Sequence, residues 1–229
     1  MLAVVTPAAT ALFLVGLRSV FATFAVYQVG LALVAPAVDS LIVRRLGWRD
    51  HLEILGVAGR GAGGIRALLL GLGLGVLAAV VVAGFLHFTA GLSDPTERIR
   101  NSLAWWGITA AEWRWLSLFM MTVHVPAEEL LWRGYLQTRL VGTSRRPRVR
   151  GRGAVLRRLA LISGLFASYH AFTLANLVPL PAMAATMFAG VWLGGMVWAW
   201  LRWWTGSLWP ALLSHYGAVA AYVLFVPDL

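Results

Sequence analysis

Three charged residues that could do chemistry stand close together in the sequence: Glu128, Glu129 and Arg133. They fall inside an apolar segment, from about residue 113 to 140, that is long enough to cross a bilayer. A charge near the bilayer centre costs at least about 2.5 kcal/mol, so such groups usually face a protein interior or a water-filled cavity. This stretch is therefore the first candidate for a functional site.

Two histidines, His170 and His215, also fall within apolar segments. At about 1.5 Å per helical residue, Glu128, His170 and His215 each lie roughly 13 to 18 Å from the nearer basic helix end, close to mid-membrane. A lone intramembrane histidine is more often a packing residue than a catalyst. Three helices that bring one carboxylate and two imidazoles to a similar depth instead favour a site.

The spacing of the charges predicts a division of roles. Glu128 and Glu129 are about 100° apart on a helix, so they do not point along one direction. Glu129 and Arg133 stand at i,i+4 in the favourable order for an ion pair. We expect Arg133 to neutralise the carboxylates chiefly through Glu129, while Glu128 faces a cavity. His124, one turn before Glu128, is a supporting partner or a metal ligand, and a structural role is favoured.

These residue types suit peptide hydrolysis by water. A carboxylate beside an imidazole can take a proton from water and deliver it to a leaving amine. A second imidazole can donate a hydrogen bond to the developing oxyanion. Glu128, His170 and His215, with His124 as a further ligand, would also supply the three or four ligands of a zinc site. The chain has no cysteine, so a thiol nucleophile and a Cys-ligated metal are excluded.

The composition indicates an integral membrane protein. The chain is 60% hydrophobic and 12% charged, and its mean hydropathy is +0.77. These values are far from those of an ordinary soluble domain. The net charge of +10 comes from arginines that cluster between apolar segments. Membrane topology explains such clusters, so a nucleic-acid partner is not expected.

The apolar segments predict an all-α, polytopic transmembrane bundle of six to seven helices, forming one domain over residues 1–229. Residues 2–43 form either one long kinked helix or two helices that meet near Arg18, with the principal span at Val20–Val43. Gly71 and Gly75 give the second span a small-residue face for close helix packing. The other spans are predicted at residues 67–90, 113–140, 159–174, 182–201 and 208–226.

The arginine-rich segments predict the orientation of the bundle. By the positive-inside rule, loops 44–66 and 139–158 are cytoplasmic, and the mixed-charge loop 91–112 lies outside. The glycine-rich stretch at residues 59–64 matches a dinucleotide-binding pattern by letter. No strand precedes it, so we interpret it as a flexible turn.

Three motifs, in order, resemble the CPBP family of intramembrane endopeptidases, which includes CAAX-type prenyl-protein proteases and bacteriocin-processing or immunity proteins. The motifs are Glu128-Glu129-x-x-x-Arg133, Phe166-x-x-x-His170, and a helix that opens Thr205-Gly-Ser-Leu-Trp-Pro-Ala and reaches His215. The similarity covers about residues 116–226, roughly half of the chain, and the protease region that carries the motifs is expected at about 113–226.

The resemblance implies a helical bundle with a cavity open toward the membrane. It also implies that Glu128 activates water with help from His170, and that His215 stabilises the oxyanion. Glu129, Arg133 and Phe166 match supporting positions. No cofactor and no essential metal are expected, although the residues themselves leave zinc open. The expected partners are the bilayer and a protein or peptide substrate cut near the membrane, such as a sorting tail, a leader peptide or a bacteriocin-type precursor. The expected location is a prokaryotic inner membrane.

One position departs from the family pattern. The last motif usually has an asparagine, a second oxyanion donor, four residues after its histidine, and here that residue is Val219. Tyr216, Ser214 or a backbone group could replace this donor. Two alternatives therefore stay open: a weakly active or inactive scaffold or immunity protein of the same fold, and a proton-coupled transporter with a relay through Glu128 and His170. The chain has no internal repeat that would favour the transporter.

Overall fold

The structure is a computed structural model that describes residues 2–58, 64–90, 95–178 and 180–225. Within these residues the chain is 85% helical and contains no strand, which confirms the predicted all-α class. Residues 59–63, where the glycine-rich turn was predicted, lie outside the described part. The helices are α1 (residues 2–16), α2 (Val20–Val43), α3 (Trp48–Leu55), α4 (Gly64–Ala90), α5 (Pro95–Trp105), α6 (residues 110–140), α7 (Arg152–Leu177), α8 (Pro181–Thr205) and α9 (Trp209–Phe225).

Four of these helices are long and apolar enough to cross a membrane: Val20–Val43, Gly64–Phe88, Arg152–Leu177 and Pro181–Thr205. Helix α9 has 17 residues, near the lower limit for a crossing. Helix α6 is long enough, but charged residues interrupt its apolar sequence. The crossings by α6 and α9 therefore stay predictions.

The N-terminal segment forms two helices. Arg18 adopts a left-handed backbone conformation, with φ 55°, which ends α1. The Ser19 hydroxyl then accepts a hydrogen bond from the Ala22 amide at 3.1 Å and caps α2. Of the two arrangements that the sequence left open, the structure has two helices that meet at Arg18.

Two predicted boundaries were wrong. The segment 91–112 was predicted as a loop, yet it contains α5, and Thr109 then begins α6 with a capping box that includes Glu112. Helix α7 begins at Arg152, seven residues before the predicted start at residue 159. Arginine is a good helix former, so an arginine-rich segment can continue a helix beyond the apolar part that hydropathy detects.

The glycines of α4 set the position of α9, as the small-residue face predicted. A methyl group on Gly71 would lie 2.5 Å from the Pro210 carbonyl oxygen, and one on Gly75 would lie 2.7 Å from the Leu213 oxygen. A methyl group on Gly217 would overlap the Gly75 carbonyl. The two backbones therefore touch along this line, which fixes the height and rotation of α9.

The core divides into two clusters along the bundle. One cluster surrounds α1, α5 and the start of α6, with Trp106 and Trp113 among its buried members. The other surrounds the second half of α6 and contains Trp132, Phe166 and Tyr169. Glu128, Glu129 and Arg133 lie in this second half of α6 and are fully buried, which places them inside protein and away from lipid.

Candidate active site

Helix α6 changes its backbone geometry on both sides of the glutamates. Residues Met120–His124 and Leu130–Leu136 form wide turns with i→i+5 hydrogen bonds, and a short α-helical piece, Val125–Glu129, lies between them. The same geometry occurs in α1 and α2, at Ala11–Gly16, Ala25–Val34 and Val38–Val43, so it does not by itself mark the site. The glutamates nevertheless stand where the helix is locally reshaped.

Glu129 and Arg133 form the predicted ion pair, with Arg133 Nη1 at 3.0 Å from Glu129 Oε1. Both side chains are fully buried. The guanidinium also donates to the Gly195 carbonyl at 3.3 Å and lies 4.1 Å above the Phe166 ring. Residue 195 is a glycine next to the guanidinium, and a methyl group there would lie only 3.1 Å from Arg133 Nη2. The arginine is thus held by charge, by a carbonyl and by an aromatic face.

His215 lies between the two carboxylates. Its Nδ1 is 3.0 Å from Glu129 Oε1, and its Nε2 is 3.8 Å from Glu128 Oε2. The indole of Trp198 stacks on the imidazole, with ring centroids 3.9 Å apart. The expectation that the glutamates point in different directions was incomplete. Long glutamate side chains converge on an imidazole that lies between their two directions.

The two oxygens of Glu128 have different surroundings. Oε1 accepts a hydrogen bond from the Tyr169 hydroxyl and lies 3.0 Å from Nε2 of His124. Oε2 is buried and has no hydrogen-bond partner among the described residues. One oxygen is therefore used to hold the carboxylate in place, and the other keeps its lone pairs free, facing His215.

A buried amide orients His124. The Nε2 atom of Gln28, on α2, is 2.7 Å from His124 Nδ1. An amide nitrogen can only donate, so Nδ1 is the acceptor and the imidazole proton is on Nε2, facing Glu128. The structure thus places His124 in direct contact with Glu128. The sequence favoured a structural role for His124 and did not predict this contact.

His170 and Phe166 lie on one face of α7, beside the carboxylates. His170 Nδ1 is 3.2 Å from the Phe166 carbonyl oxygen, so Nδ1 donates and Nε2 remains an acceptor. The Phe166 ring packs edge-on against His170 at 4.9 Å and against His215 at 6.0 Å. The aromatic ring thus contacts both imidazoles. His170 is close enough to Glu128 for an electrostatic interaction between them.

Three residues of this arrangement were not among the candidates from the sequence: Gln28, Tyr169 and Trp198. Gln28 did carry a signal, because it is a polar residue in an apolar span, but its partner lies on another helix. Tyr169 is next to His170 and looked like an ordinary membrane aromatic. Trp198 has no sequence feature that distinguishes it from the chain's other tryptophans.

Metal binding was tested against the geometry of the side chains. Within the part of the chain that the structure describes, no group of three or more His, Asp or Glu side chains is arranged to hold a metal ion. The zinc set of Glu128, His170 and His215 therefore has no support from the geometry, and metal dependence stays a question for experiment.

The arrangement defines a class of protein: a helical membrane protein with a buried carboxylate, three imidazoles near it and an arginine-paired second carboxylate. Such a site suits acid–base chemistry on a peptide bond. Residues 110–221 match the family model of the type II CAAX prenyl endopeptidases, described as Rce1-like. This segment therefore belongs to the CAAX-type family of membrane proteases, which confirms the resemblance seen in the sequence. No curated protein and no solved structure matches the chain.

Proposed function

We propose that the protein is an intramembrane endopeptidase of the glutamate type, in which Glu128 and His170 activate water and His215 stabilises the oxyanion. The observation that carries this proposal is the buried contact of Glu128 with His124 at 3.0 Å and with His215 at 3.8 Å. This contact lies within the segment that matches a membrane protease family.

The first step is removal of a proton from water. Glu128 Oε2 has free lone pairs, while Oε1 is held by Tyr169 and His124. Water bound at Oε2 gives its proton to the carboxylate, and His170, which interacts electrostatically with Glu128, assists this transfer through its free Nε2. The hydroxide oxygen then forms a bond to the carbonyl carbon of the scissile peptide, which gives a tetrahedral intermediate.

The second step needs a donor for the oxyanion and a proton for the leaving group. His215 donates Nδ1–H to Glu129, so its Nε2 offers a hydrogen bond only as an imidazolium. The Glu129 carboxylate, 3.0 Å from Nδ1, complements that positive charge while Glu128 carries the proton taken from water. The carbon–nitrogen bond then breaks, Glu128 returns its proton to the leaving amine, and a carboxyl and an amine terminus are released.

The position of the site supports a substrate that reaches it along the membrane. Glu128 and Glu129 have no exposed surface, so a peptide must enter between helices in an extended form. Sorting tails, leader peptides and bacteriocin-type precursors offer such segments next to a membrane. By the positive-inside rule, the arginine-rich loops 44–66 and 139–158 support a cytoplasmic position for this end of the bundle, in what we propose is a prokaryotic inner membrane. No cofactor is part of the proposed reaction.

One observation favours a second candidate function, a catalytically weak or inactive scaffold of the same fold. Val219, one turn after His215 on α9, is half-buried and has no side-chain donor. Loss of one oxyanion donor can lower the rate about 100-fold or more. A scaffold would keep the buried pairs for stability and would not cleave any substrate.

The experiment is a processing assay with a co-expressed, membrane-anchored reporter that carries a leader or sorting tail. Glu128→Ala and His170→Ala abolish processing if the proposal is right, while both variants still accumulate in the membrane. Glu97→Ala and His87→Ala are matched controls, because both side chains are exposed, and they keep the wild-type rate.

Unchanged processing in both site variants would eliminate the protease. Absence of processing by the wild type with every reporter would favour the scaffold. Loss of proton-coupled uptake in the same variants would instead favour a transporter.

A further inference from the structure

A cavity of about 1000 Å³ lies at the arginine-rich end of the bundle, where α3, the loop after α6 and the turn between α8 and α9 meet. The carboxylates of Asp50 and Glu53 line it, together with five guanidinium groups: Arg49, Arg145, Arg146, Arg148 and Arg202. Positive charge therefore exceeds negative charge by about three. Thr138 also lines the cavity and follows Glu128 by ten residues, about 15 Å along the helix, so this is a different site.

Arg202 is the buried arginine of this lining, with 1% of its surface exposed. It donates to the Gly206 carbonyl, to the Ile54 carbonyl at 3.1 Å and to the Thr138 hydroxyl at 2.9 Å. These acceptors carry no full negative charge, and Nε has no partner among the described residues. A methyl group on Gly56 would lie 2.6 Å from the guanidinium carbon, so only a glycine at this position leaves room for the Arg202 side chain.

A buried charge without a counter-charge is costly, and proteins normally pair it. Neutral oxygens solvate Arg202 but leave its charge in place. An anion in the adjoining cavity would supply the missing negative charge.

The loop that carries three of the arginines is ordered. Gly142 takes a left-handed conformation, with φ 78°, at the start of the turn. The Arg148 amide donates to the Val141 carbonyl at 2.9 Å, and the Ser144 amide donates to the Trp203 carbonyl at 2.8 Å. The first bond closes the loop on itself, and the second ties it to the end of α8. The backbone that carries Arg145, Arg146 and Arg148 at the cavity is therefore fixed.

We infer that this cavity binds a phosphate-bearing anion. The planar fork of arginine matches phosphate oxygens, and it forms paired, charge-assisted hydrogen bonds with them. Basic pockets between membrane helices on the cytoplasmic side bind the headgroups of anionic lipids. The volume lies at the upper end of the range of small-molecule sites, so it accepts a phospholipid headgroup as well as free phosphate.

The test uses the full-length protein, purified in detergent and stripped of lipid, with thermal unfolding followed by tryptophan fluorescence at fixed ionic strength. The probes are inorganic phosphate, phosphatidylglycerol and phosphatidylcholine, the lipids in mixed micelles. Phosphatidylglycerol raises the unfolding midpoint of the wild type. Arg146→Gln weakens the apparent affinity about fivefold, which corresponds to about 1 kcal/mol for one arginine. Arg157→Gln, an exposed arginine of α7 outside the cavity, leaves it unchanged.

The outcomes separate the two sources of phosphate. Stabilisation by both inorganic phosphate and phosphatidylglycerol shows that the phosphate group itself is bound. Stabilisation by phosphatidylglycerol alone shows that the ligand is a lipid headgroup. An equal effect of phosphatidylcholine, equal losses in the Arg146 and Arg157 variants, or no stabilisation by any phosphate-bearing probe would overturn the inference. None of these readouts depends on proteolysis.

Discussion

The buried pair of Glu129 and Arg133 allows the most quantitative prediction. Substitution of Arg133 by methionine keeps an unbranched side chain in the space between Gly195 and Phe166, but it leaves Glu129 buried without its cation. Breaking a buried pair in this way costs about 3 to 5 kcal/mol. For a chain of this size, that loss lowers the unfolding temperature by roughly 6 to 20 °C.

The assay is thermal unfolding of the purified protein in detergent, with Glu129→Gln added to Arg133→Met in a second variant. Removal of both charges restores much of the loss, because no uncompensated charge remains. Arg49→Met is the control, since Arg49 is exposed and lies 3.6 Å from Glu53, and such a pair contributes about 1 kcal/mol or less. The reasoning is refuted if Arg133→Met costs no more than this control, or if the double variant is as unstable as the single one.

Three further predictions concern other parts of the molecule. Val219→Asn adds an oxyanion donor and raises the processing rate, by up to about 100-fold, in the reporter assay. Gln28→Leu removes the donor to His124 and lowers the processing rate about tenfold, with membrane accumulation unchanged. At the start of α6, hydrogen bonds from the backbone and then the hydroxyl of Thr109 lower the pKa of Glu112, so the cap stabilises the helix above the ordinary glutamate pKa. That contribution is lost as the pH falls through the lowered pKa. Hydrogen exchange of the amides in the first turn of α6 measures this loss.

Each of these has an outcome that contradicts it. A Val219→Asn variant that folds but is no faster would show that another group already serves as the donor. Full activity in Gln28→Leu would show that His124 needs no orientation. Protection of the first turn of α6, relative to the intrinsic exchange rate, that is equal above the ordinary glutamate pKa and below the lowered one would remove the capping argument, and Thr109→Ala gives the reference protection of an uncapped helix.

Hydropathy predicted the helices well, because the length of an apolar segment depends on the sequence alone. It failed at the start of α7, where Arg152 and its neighbours continue the helix outside the apolar region. It also missed α5, since a short polar helix on a bundle surface has no apolar span to detect.

The site was predicted as far as charge and depth allow. Glu128, His170 and His215 stood out because ionisable groups are costly inside a membrane. Gln28 and Tyr169 are uncharged, and their contacts depend on how α2 and α7 pack beside α6. Such lateral packing is not visible in a single segment, so the hydrogen bonds that hold Glu128 could not be predicted.

The most direct test of the central claim, that Glu128 activates water rather than attacking the substrate itself, is cleavage of the reporter in ¹⁸O-labelled water, followed by mass spectrometry of product and enzyme. Water attack places one ¹⁸O atom in the new carboxyl terminus and leaves the Glu128 carboxylate unlabelled after many turnovers. Label in Glu128 would reveal a covalent acyl intermediate and contradict the proposed mechanism.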